Sequence, residues 1–451
     1  MSEELELLDG RLHGIANTAL VPELMAELGG VLGTVLGERA VVVTARDNYP
    51  PSRMLKRALS SGLMSTGITV IDFHAATTPE LVFAIKRLGA KAGIQFTISP
   101  IERNGVMVKF FDSHGVEYSR ERMEDLLERM KSGRIVRSLP SFIGWVTYAE
   151  YIHDIYSAAV VSYVDAPAIA GGGLKLVCDV NFGPSSEVLP SILSELGVES
   201  IFLNAHKPPA QRGVSHMPSP EAIEALGRIV KASGASLGAA LCADATRALV
   251  VDDKGKPLTS EELAGILLSC VPRGARVALS ESMGSLVDEV ARERGVRLVR
   301  IRGSRHELLR AARRLGSPAV FTCGGEAAFT DFSFSFDGML TIIKVMEAAA
   351  KAGEELSEMR SALPTVPVVR SSVRLRDGDY LKVVGNLHRM YKDSFLTMTG
   401  LRVRVGGVWV SVEARPGRIE LVAEDTEGAK EAVEKMSKTV KAVIREVKAA
   451  Q

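Results

Sequence analysis

The stretch AVVVTARDNYPPSRMLKRALSSGLMSTGITVIDFHAATTPELVFAIKRLGAKAGIQFT, residues 40–97, decides the fold class. Its short apolar runs predict buried strands at 40–44, 69–73 and 93–97, and the amphipathic segment 52–65 predicts a helix. Thr78-Pro79 predicts a second helix start, because a hydroxyl cap followed by proline suits a first helical turn. Strands separated by helices predict a mainly parallel sheet that is covered on both faces.

The same alternation returns twice along the chain and then gives way to a different pattern. Strands are predicted at 106–111 in the first unit, at 174–179, 200–203 and 236–241 in a second, and at 276–279, 297–301 and 319–322 in a third. Closely spaced strands then follow at 401–405, 408–412 and 419–423, before a charged amphipathic helix over 426–448. We expect three successive α/β domains with mixed, mainly parallel sheets (1–152, 153–258, 259–365), a connection over 363–373, and a small C-terminal α+β domain (366–451).

Composition excludes several classes of protein. Among 451 residues the formal net charge is +1, and the chain has no run of five like charges, so we expect no nucleic-acid partner. No apolar stretch reaches the ~18 residues that span a bilayer, so we expect no membrane association. The start, MSEELELLDG, lacks the apolar core of a secretion signal, and four widely spaced cysteines suit a reducing compartment. We therefore expect a cytoplasmic protein.

Several segments carry a resemblance to a known family. These are 45–72 and 76–97 within the opening stretch, NGVMVKFFDSHG from Asn104, CADATRALVVDDKGKPLTSEEL from Cys242, CGGEAAF from Cys323 and DGMLT from Asp337. In this order they resemble the α-D-phosphohexomutases, which include phosphomannomutase, phosphoglucomutase and phosphoglucosamine mutase. The resemblance covers nearly the whole chain, and it implies four domains around a central cleft.

The resemblance also implies a reaction. In that family a phosphoserine gives its phosphoryl group to a hexose phosphate, the bisphosphate reorients, and the other phosphate returns to the serine. Four loops, one per domain, build the site, and a D-G-D-G-D-R loop holds Mg²⁺ with three aspartates. The metal and fixed cations offset the charge on the oxygens of the transferred group.

The serine loop of this chain is short. Where the family has T-A-S-H-N-P, this chain has Thr97-Ile98-Ser99-Pro100, and Ser99 is the matching catalytic hydroxyl. Pro100 favours an extended, displayed conformation for Ser99. The alternative is an ordinary loop serine.

The metal loop has lost two of its three carboxylates. Cys242, Asp244 and Thr246 stand where the family has aspartates, so Asp244 is the one candidate metal ligand. One carboxylate with a neutral thiol and a hydroxyl is a poor Mg²⁺ site, so we expect Mg²⁺ to bind poorly or not at all. Cys242 suits a softer metal, and the alternative for Asp244 is a solvated or self-paired carboxylate. Arg247 matches the arginine of the family loop, which implies a substrate contact.

The remaining candidate residues belong to the sugar and phosphate loops. Glu326 in Gly324-Gly325-Glu326 matches the glutamate that binds sugar hydroxyls in the family. Arg305 or His306 could bind an anion, and the alternative for these two residues is a solvated helix start. The last loop, 413–418, lacks the family's serine and threonine. Arg415 and Arg418 remain as candidates for binding phosphate, and the alternative is that they lie on an ordinary surface hairpin. Arg46 is a further candidate for substrate binding, because it is the arginine kept from the family's G-R-D-T-R segment.

Each of the four loops differs from the family pattern at charged or phosphate-binding residues, and the functional hypotheses follow from these differences. We expect a member of this fold family that lacks ordinary Mg²⁺-dependent mutase activity and binds a hexose phosphate, or acts through a protein such as an active homologue. The alternative is an active phosphohexomutase with Ser99 as phosphoryl carrier, Asp244 with a borrowed ligand and Glu326 on the sugar. A third hypothesis is a purely structural scaffold, and the sequence leaves the oligomeric state open.

Overall fold

The computed structural model describes residues 5–206, 215–375 and 380–449. Four β-sheets follow one another along these ranges, each with helices packed against it. No helix in the described part of the chain is long and apolar enough to cross a membrane. The multi-domain α/β architecture is therefore as expected, whereas the exact domain boundaries stay a prediction.

The first sheet has seven strands in the order β1-β2-β6-β5-β3-β4-β7. Its parallel half comprises β5, β3, β4 and β7, and antiparallel strands continue it on the β5 side. The strands are β1 (Glu6–Leu8), β2 (Arg11–Ile15), β3 (Val41–Arg46), β4 (Thr69–Ala75), β5 (Ala92–Ile98), β6 (Gly105–Asp112) and β7 (Val146–Tyr148). The helices are α1 (Pro22–Leu36), α2 (Pro50–Met64), α3 (Thr78–Arg87) and α4 (Arg120–Lys131).

The cap of α3 differs from the prediction by one residue. Thr77, not Thr78, is the N-cap, because Thr77 and Glu80 form a reciprocal capping box. Thr78 is thus the first helical residue and Pro79 the second. This shift leaves the Thr78 hydroxyl available for a contact outside the helix.

The second and third sheets share one plan, in which three parallel strands are extended by one antiparallel strand at an edge. Their orders are β11-β10-β8-β9 and β13-β12-β14-β15. The strands are β8 (Lys175–Asp179), β9 (Glu199–Leu203), β10 (Leu237–Leu241), β11 (Ala248–Asp252), β12 (Arg276–Ser280), β13 (Arg297–Ile301), β14 (Ala319–Phe321) and β15 (Ala327–Phe329). The helices are α5 (Ile152–Tyr163), α6 (Ala166–Gly171), α7 (Ser185–Glu195), α8 (Pro220–Ser233), α9 (Ser260–Leu267), α10 (Leu286–Arg294), α11 (Arg305–Leu315), α12 (Gly338–Ala352) and α13 (Leu356–Ser361).

The fourth sheet is antiparallel throughout, in the order β16-β20-β19-β18-β17. Its elements are β16 (Val368–Arg374), α14 (Tyr380–Met390), β17 (Ser394–Leu396), β18 (Gly400–Val405), β19 (Val408–Arg415), β20 (Arg418–Glu424) and α15 (Ala429–Ala449). The prediction that 363–373 is only a connection is wrong in its second half. Residues 368–374 form an edge strand because all seven pair with β20.

The C-terminal unit packs directly on the first domain. Ile101, in the loop after β5, is 2% exposed and belongs to the hydrophobic core of the C-terminal unit. A Cβ placed on Gly385 of α14 would lie 2.5 Å from the carbonyl oxygen of Ile101, so glycine permits this close approach. Arg389 adds ion pairs to Glu6 and Glu102. This contact covers the loop that contains Ser99.

Candidate functional site

Ser99 follows β5 and lies at the point where the first domain meets the C-terminal unit. Asp47 fixes the end of the strand, since its carboxylate accepts hydrogen bonds from Ile98 N at 2.6 Å and Thr97 Oγ1 at 2.9 Å. Ser99 is 1% exposed, so the expectation of a displayed serine is wrong. α14 packs against Ile101 and Glu102, which follow Ser99 in the same loop.

The closest side-chain partner of Ser99 is His13 of β2. His13 Nδ1 lies 3.3 Å from Ser99 Oγ, and the same oxygen accepts a hydrogen bond from Ile101 N at 3.3 Å. Burial, aided by the neighbouring Arg11, lowers the pKa of His13 well below its usual range. The imidazole is therefore neutral near pH 7, and the same lowered pKa makes it a weak base.

The Asp244 carboxylate has partners on both of its oxygens. Oδ2 accepts from the ammonium group of Lys109 and, at 2.8 Å, from the Thr78 hydroxyl that the capping box leaves available. Oδ1 accepts from Thr246 Oγ1 at 2.9 Å and Cys242 Sγ at 3.2 Å. Burial opposes the charge, but Lys109 and then His216 hold the pKa of Asp244 well below its usual range. A cation of the chain itself thus neutralises the metal-loop carboxylate.

The donor set around Asp244 does not fit Mg²⁺. His216, Cys242 and Asp244 place one ligand atom each within 4.8 Å of one another, and all three are buried. Burial and the nearby Asp244 raise the pKa of the Cys242 thiol to about 12, so it is protonated near pH 7. Mg²⁺ requires near-octahedral oxygen ligands and is usually held by one or two carboxylates together with substrate phosphates. This site offers one carboxylate, already paired with an ammonium group.

Glu326 is bound by two of the predicted arginines. Its Oε1 accepts from Arg247 Nε at 2.8 Å and Arg305 Nε at 2.6 Å. Its Oε2 accepts from Thr322 Oγ1 at 2.8 Å. Burial opposes ionisation, yet the guanidinium groups of Arg247 and Arg305 lower the pKa of Glu326 far below its usual range. The structure therefore brings these three predicted residues together, as partners of one another.

The loop that carries Glu326 is closed over by its neighbours. A Cβ on Gly324 would lie 2.8 Å from the Leu396 carbonyl oxygen, and one on Gly325 would lie 2.9 Å from that of Ala248. The turn after β17 thus packs against this loop. His306 contacts the first domain, where its Nδ1 lies 2.7 Å from the Glu117 carbonyl oxygen.

Three predicted arginines lie apart from this cluster. Arg415 binds Glu413 at 2.6 Å and Glu420 at 3.3 Å, and Arg418 binds Glu420 at 2.7 Å, around the hairpin between β19 and β20. Arg46 donates to the carbonyl oxygen of Asp47 at 2.7 Å. The structure does not bring these residues to Ser99.

A cavity of about 560 Å³ lies between β11, α9 and the exposed face of the C-terminal sheet. Its volume is in the usual range for small-molecule sites. Two atoms of residues in its wall, Arg402 Nε and Thr397 Oγ1, are buried without a hydrogen-bond partner. The wall also contains basic and acidic side chains. The basic residues besides Arg402 are Lys254, Lys256, Arg360, Arg370 and Arg415, and the acidic ones include Asp252, Glu261 and Glu413. The wall thus combines charge of both signs with hydroxyl groups.

Sequence reasoning missed the two residues that pair with Asp244. Lys109 lies within VMVKFF, an otherwise apolar strand, and a lysine in a buried strand is a signal for a buried acidic partner. His216 stands in an irregular segment with no such pattern. Its role depends on a loop path that periodicity cannot predict.

Comparisons with known proteins agree with this architecture. The family description "Phosphoglucomutase/phosphomannomutase, alpha/beta/alpha domain I" matches residues 10–135, and domain II of the same family matches 149–255. The "probable phosphoglucosamine mutase" of Methanopyrus kandleri is 32% identical over 457 residues, which is 97% of this chain and 98% of that protein. The phosphoglucomutase/phosphomannomutase of Thermococcus kodakarensis is 31% identical over 421 residues, 89% of this chain and 90% of that one.

Solved structures show the same fold. A phosphoglucomutase/phosphomannomutase family protein of Burkholderia thailandensis superposes with a TM-score of 0.74 at 21% identity, covering 96% of each chain. The N-acetylphosphoglucosamine mutase of Aspergillus fumigatus, in complex with GlcNAc-6P and magnesium, superposes with a TM-score of 0.51 at 14% identity. It covers 90% of this chain and 82% of that one.

The fold and the arrangement of loops define a multi-domain α/β protein of the sugar-phosphate mutase class. The chain belongs to the α-D-phosphohexomutase family, that of the phosphoglucomutases and phosphomannomutases.

Proposed function

We propose that this chain is a phosphohexomutase-family protein without Mg²⁺-dependent mutase activity, which retains the capacity to bind a hexose phosphate. The observation that carries the proposal is the ion pair between Lys109 and Asp244, both buried. A metal ion there would have to displace Lys109 or share the carboxylate with it. In a buried site, two cations at one carboxylate are strongly unfavourable.

The state of Glu326 supports the same proposal. A carboxylate that orients sugar hydroxyls needs free oxygen lone pairs, and Glu326 already accepts three hydrogen bonds, two of them from guanidinium groups, which leaves one lone pair on Oε2. Arg247 and Arg305 are likewise committed to Glu326 through their Nε atoms. Loss of one transition-state donor typically costs ~10²–10³ in rate. Altered metal, sugar and phosphate loops together remove most of the catalytic advantage, even without additivity.

The test is phosphorus NMR of the purified protein with glucosamine 1-phosphate, mannose 1-phosphate and glucose 1-phosphate. Mg²⁺, then Mn²⁺, and a catalytic amount of the matching bisphosphate are added, and an active family member serves as the control. We expect no 6-phosphate from this chain while the control converts fully. Turnover at enzyme-like rates, unchanged when aspartates are restored in Cys242→Asp/Thr246→Asp, contradicts the proposal.

We assign the proposed binding of a hexose phosphate to the 560 Å³ cavity rather than to the space around Ser99. Arg402 Nε and Thr397 Oγ1 are buried donors without partners in its wall. Basic side chains there can meet a phosphate, and acidic side chains and hydroxyls can meet sugar hydroxyls. The fungal relatives crystallised with GlcNAc-6P and with glucose 1,6-bisphosphate suggest the class of ligand.

A second candidate, an active mutase that uses Ser99, rests on one contact. His13 Nδ1 lies 3.3 Å from Ser99 Oγ, an arrangement in which a neutral imidazole can accept the hydroxyl proton. This candidate predicts turnover in the parent and none in Ser99→Ala. Equal rates in the two proteins exclude it.

A further inference from the structure

The exposed apolar side chains of this protein are concentrated in one segment. Of eleven large apolar residues exposed in the described part of the chain, eight lie between 136 and 155. They are Val136, Leu139, Phe142, Ile143, Trp145, Tyr148, Tyr151 and Ile155, and Trp145 is 71% exposed. Single exposed apolar residues are common, whereas eight of them within residues 136–155 indicate an interaction surface. We call these eight residues the β7 patch.

The patch surrounds an open edge of the first sheet. β7 is the last strand in the sheet order, paired only with β4. The Trp145 carbonyl oxygen accepts from Val70 N, and Ala149 N donates to the Asp72 carbonyl oxygen. Because backbone groups alternate in direction along a strand, Val146 and Tyr148 direct their N–H and C=O groups away from β4. Two donors and two acceptors are thus available for another strand.

The spacing of these groups is self-complementary. We propose that two copies of this chain form a two-fold dimer in which β7 pairs antiparallel with β7 of the second copy, centred on Thr147. This register places Val146 opposite Tyr148 of the other copy in both halves, so that all four outward groups of each strand are used. It joins two seven-stranded sheets into one of fourteen strands. A two-fold interface requires this kind of self-complementary surface.

The composition of the edge favours a second copy as the partner. Residues 138–149, SLPSFIGWVTYA, contain no charged side chain. Free sheet edges in soluble proteins are usually protected by charged residues that prevent pairing. A two-fold contact brings identical residues together, so an uncharged edge avoids the like-charge repulsion that would oppose it.

The available area is sufficient for a stable dimer. β7 has only three residues, so strand pairing alone would be weak, and the side chains around it must supply most of the contact. Four aromatic and four aliphatic side chains at their observed exposures present an upper limit of roughly 800 Å² per copy, comparable to the amount buried by each partner in a standard protein interface.

The segment is held in place before any partner binds. Val136 N donates to Thr34 Oγ1 at 3.0 Å, and Gly144 N donates to the Met64 carbonyl oxygen at 2.9 Å. A Cβ on Gly144 would lie 1.9 Å from the Ile68 carbonyl oxygen, so this approach requires glycine. A fixed patch loses little conformational entropy on association.

Cross-linking tests the register. Directly opposed residues of a pair without hydrogen bonds have Cα atoms about 4.5 Å apart, within the disulfide range. In a Cys270→Ala background, where the other native cysteines are buried, Thr147→Cys should give a covalent dimer under mild oxidation. Ser132→Cys, an exposed control at the end of α4, should not. Equal cross-linking of the two variants, or none in either, overturns the proposed register.

Sedimentation equilibrium tests the dimer itself. The wild-type chain should have the mass of two chains at micromolar concentration, and Trp145→Asp should raise the dissociation constant roughly 100-fold. Met390→Asp, which changes an exposed apolar residue of the C-terminal unit, should leave the dimer intact. A monomeric wild type, or a Trp145→Asp variant as dimeric as the wild type, overturns the proposal. Circular dichroism confirms that each variant is folded.

Discussion

Two polar regions of this protein differ in how their charges are satisfied. Around Asp244 and Glu326 the charged groups are buried and bind one another, with Lys109 and two arginines as the cations. In the 560 Å³ cavity, Arg402 Nε and Thr397 Oγ1 lack partners although they are buried. The first region satisfies its charges with internal partners, whereas the wall of the second has exposed basic side chains, Lys254, Lys256 and Arg370, that a ligand can reach. The comparison separates charges that hold domains together from charges available for binding.

The largest expected effect comes from removing the internal cation. Lys109→Met leaves Asp244 buried and without its ammonium partner, and we expect a loss of about 3–5 kcal/mol in the free energy of unfolding. Urea denaturation measures this change. The control is Lys175→Met, whose ion pair with Glu199 is partly exposed, and it should cost less than about 1 kcal/mol.

The double variant Lys109→Met/Asp244→Asn sharpens this test. With the charge removed from both partners, most of the lost stability should return, because no unpaired charge remains buried. If the single Lys109→Met variant is as stable as the wild type, Lys109 does not neutralise Asp244.

An effect of intermediate size concerns Asp337, a buried carboxylate without a basic partner in its contacts. It accepts a hydrogen bond from Leu340 N at 2.9 Å and another from the Tyr156 hydroxyl, and burial raises its pKa to about 7. The native state therefore binds a proton more tightly than the unfolded state, whose pKa is near 3.8. Stability from this group is present at low pH and is lost as the pH rises towards 7.

The Asp337→Asn variant removes that titration and keeps an oxygen for the helix cap. Relative to this variant, the wild type should gain on the order of 2–4 kcal/mol as the pH falls from 7 to 4. Urea denaturation at a series of pH values measures the difference. A difference that does not change with pH contradicts the assignment.

The smallest expected effect is on binding in the cavity. Arg370 lines its wall and is exposed, so Arg370→Ala should weaken binding of glucosamine 6-phosphate about tenfold in calorimetric titrations, the loss of one charged hydrogen bond. Arg374→Ala is the matched control, since it changes the same strand outside the cavity wall. Equal losses in the two variants indicate a general charge effect instead, and binding to neither the wild type nor the variants contradicts the assigned site.

The elements of the fold could be predicted from local patterns, for a physical reason. Buried parallel strands such as β3, β4 and β5 are short apolar runs. In amphipathic helices such as α1, apolar residues recur with the period of the helix. The edge strand β16 was missed because VVRSSVR is largely exposed and its pairing with β20 is a long-range contact. Local pattern carries no information about such a partner.

Site residues could be predicted only where a single loop contains the motif that identifies them. Glu326, Arg247 and Asp244 could be found from their segments, but what binds them could not. Asp244 pairs with Lys109, 135 residues away in sequence, and Glu326 with Arg247, 79 residues away. The expected exposure of Ser99 was wrong, and α14, which packs against the same loop at Ile101, comes nearly 300 residues later in the sequence.

The burial of Ile101 in the core of the C-terminal unit adds to the free-energy cost of any conformation that exposes the loop containing Ser99. Withdrawing one isoleucine from an apolar core costs about 1.5–3 kcal/mol, before the ion pairs of Arg389 are counted. Because Ser99 itself is 1% exposed, a compound that reaches it must bind a conformation in which this loop is open, and its apparent affinity falls by the fraction of molecules in that conformation.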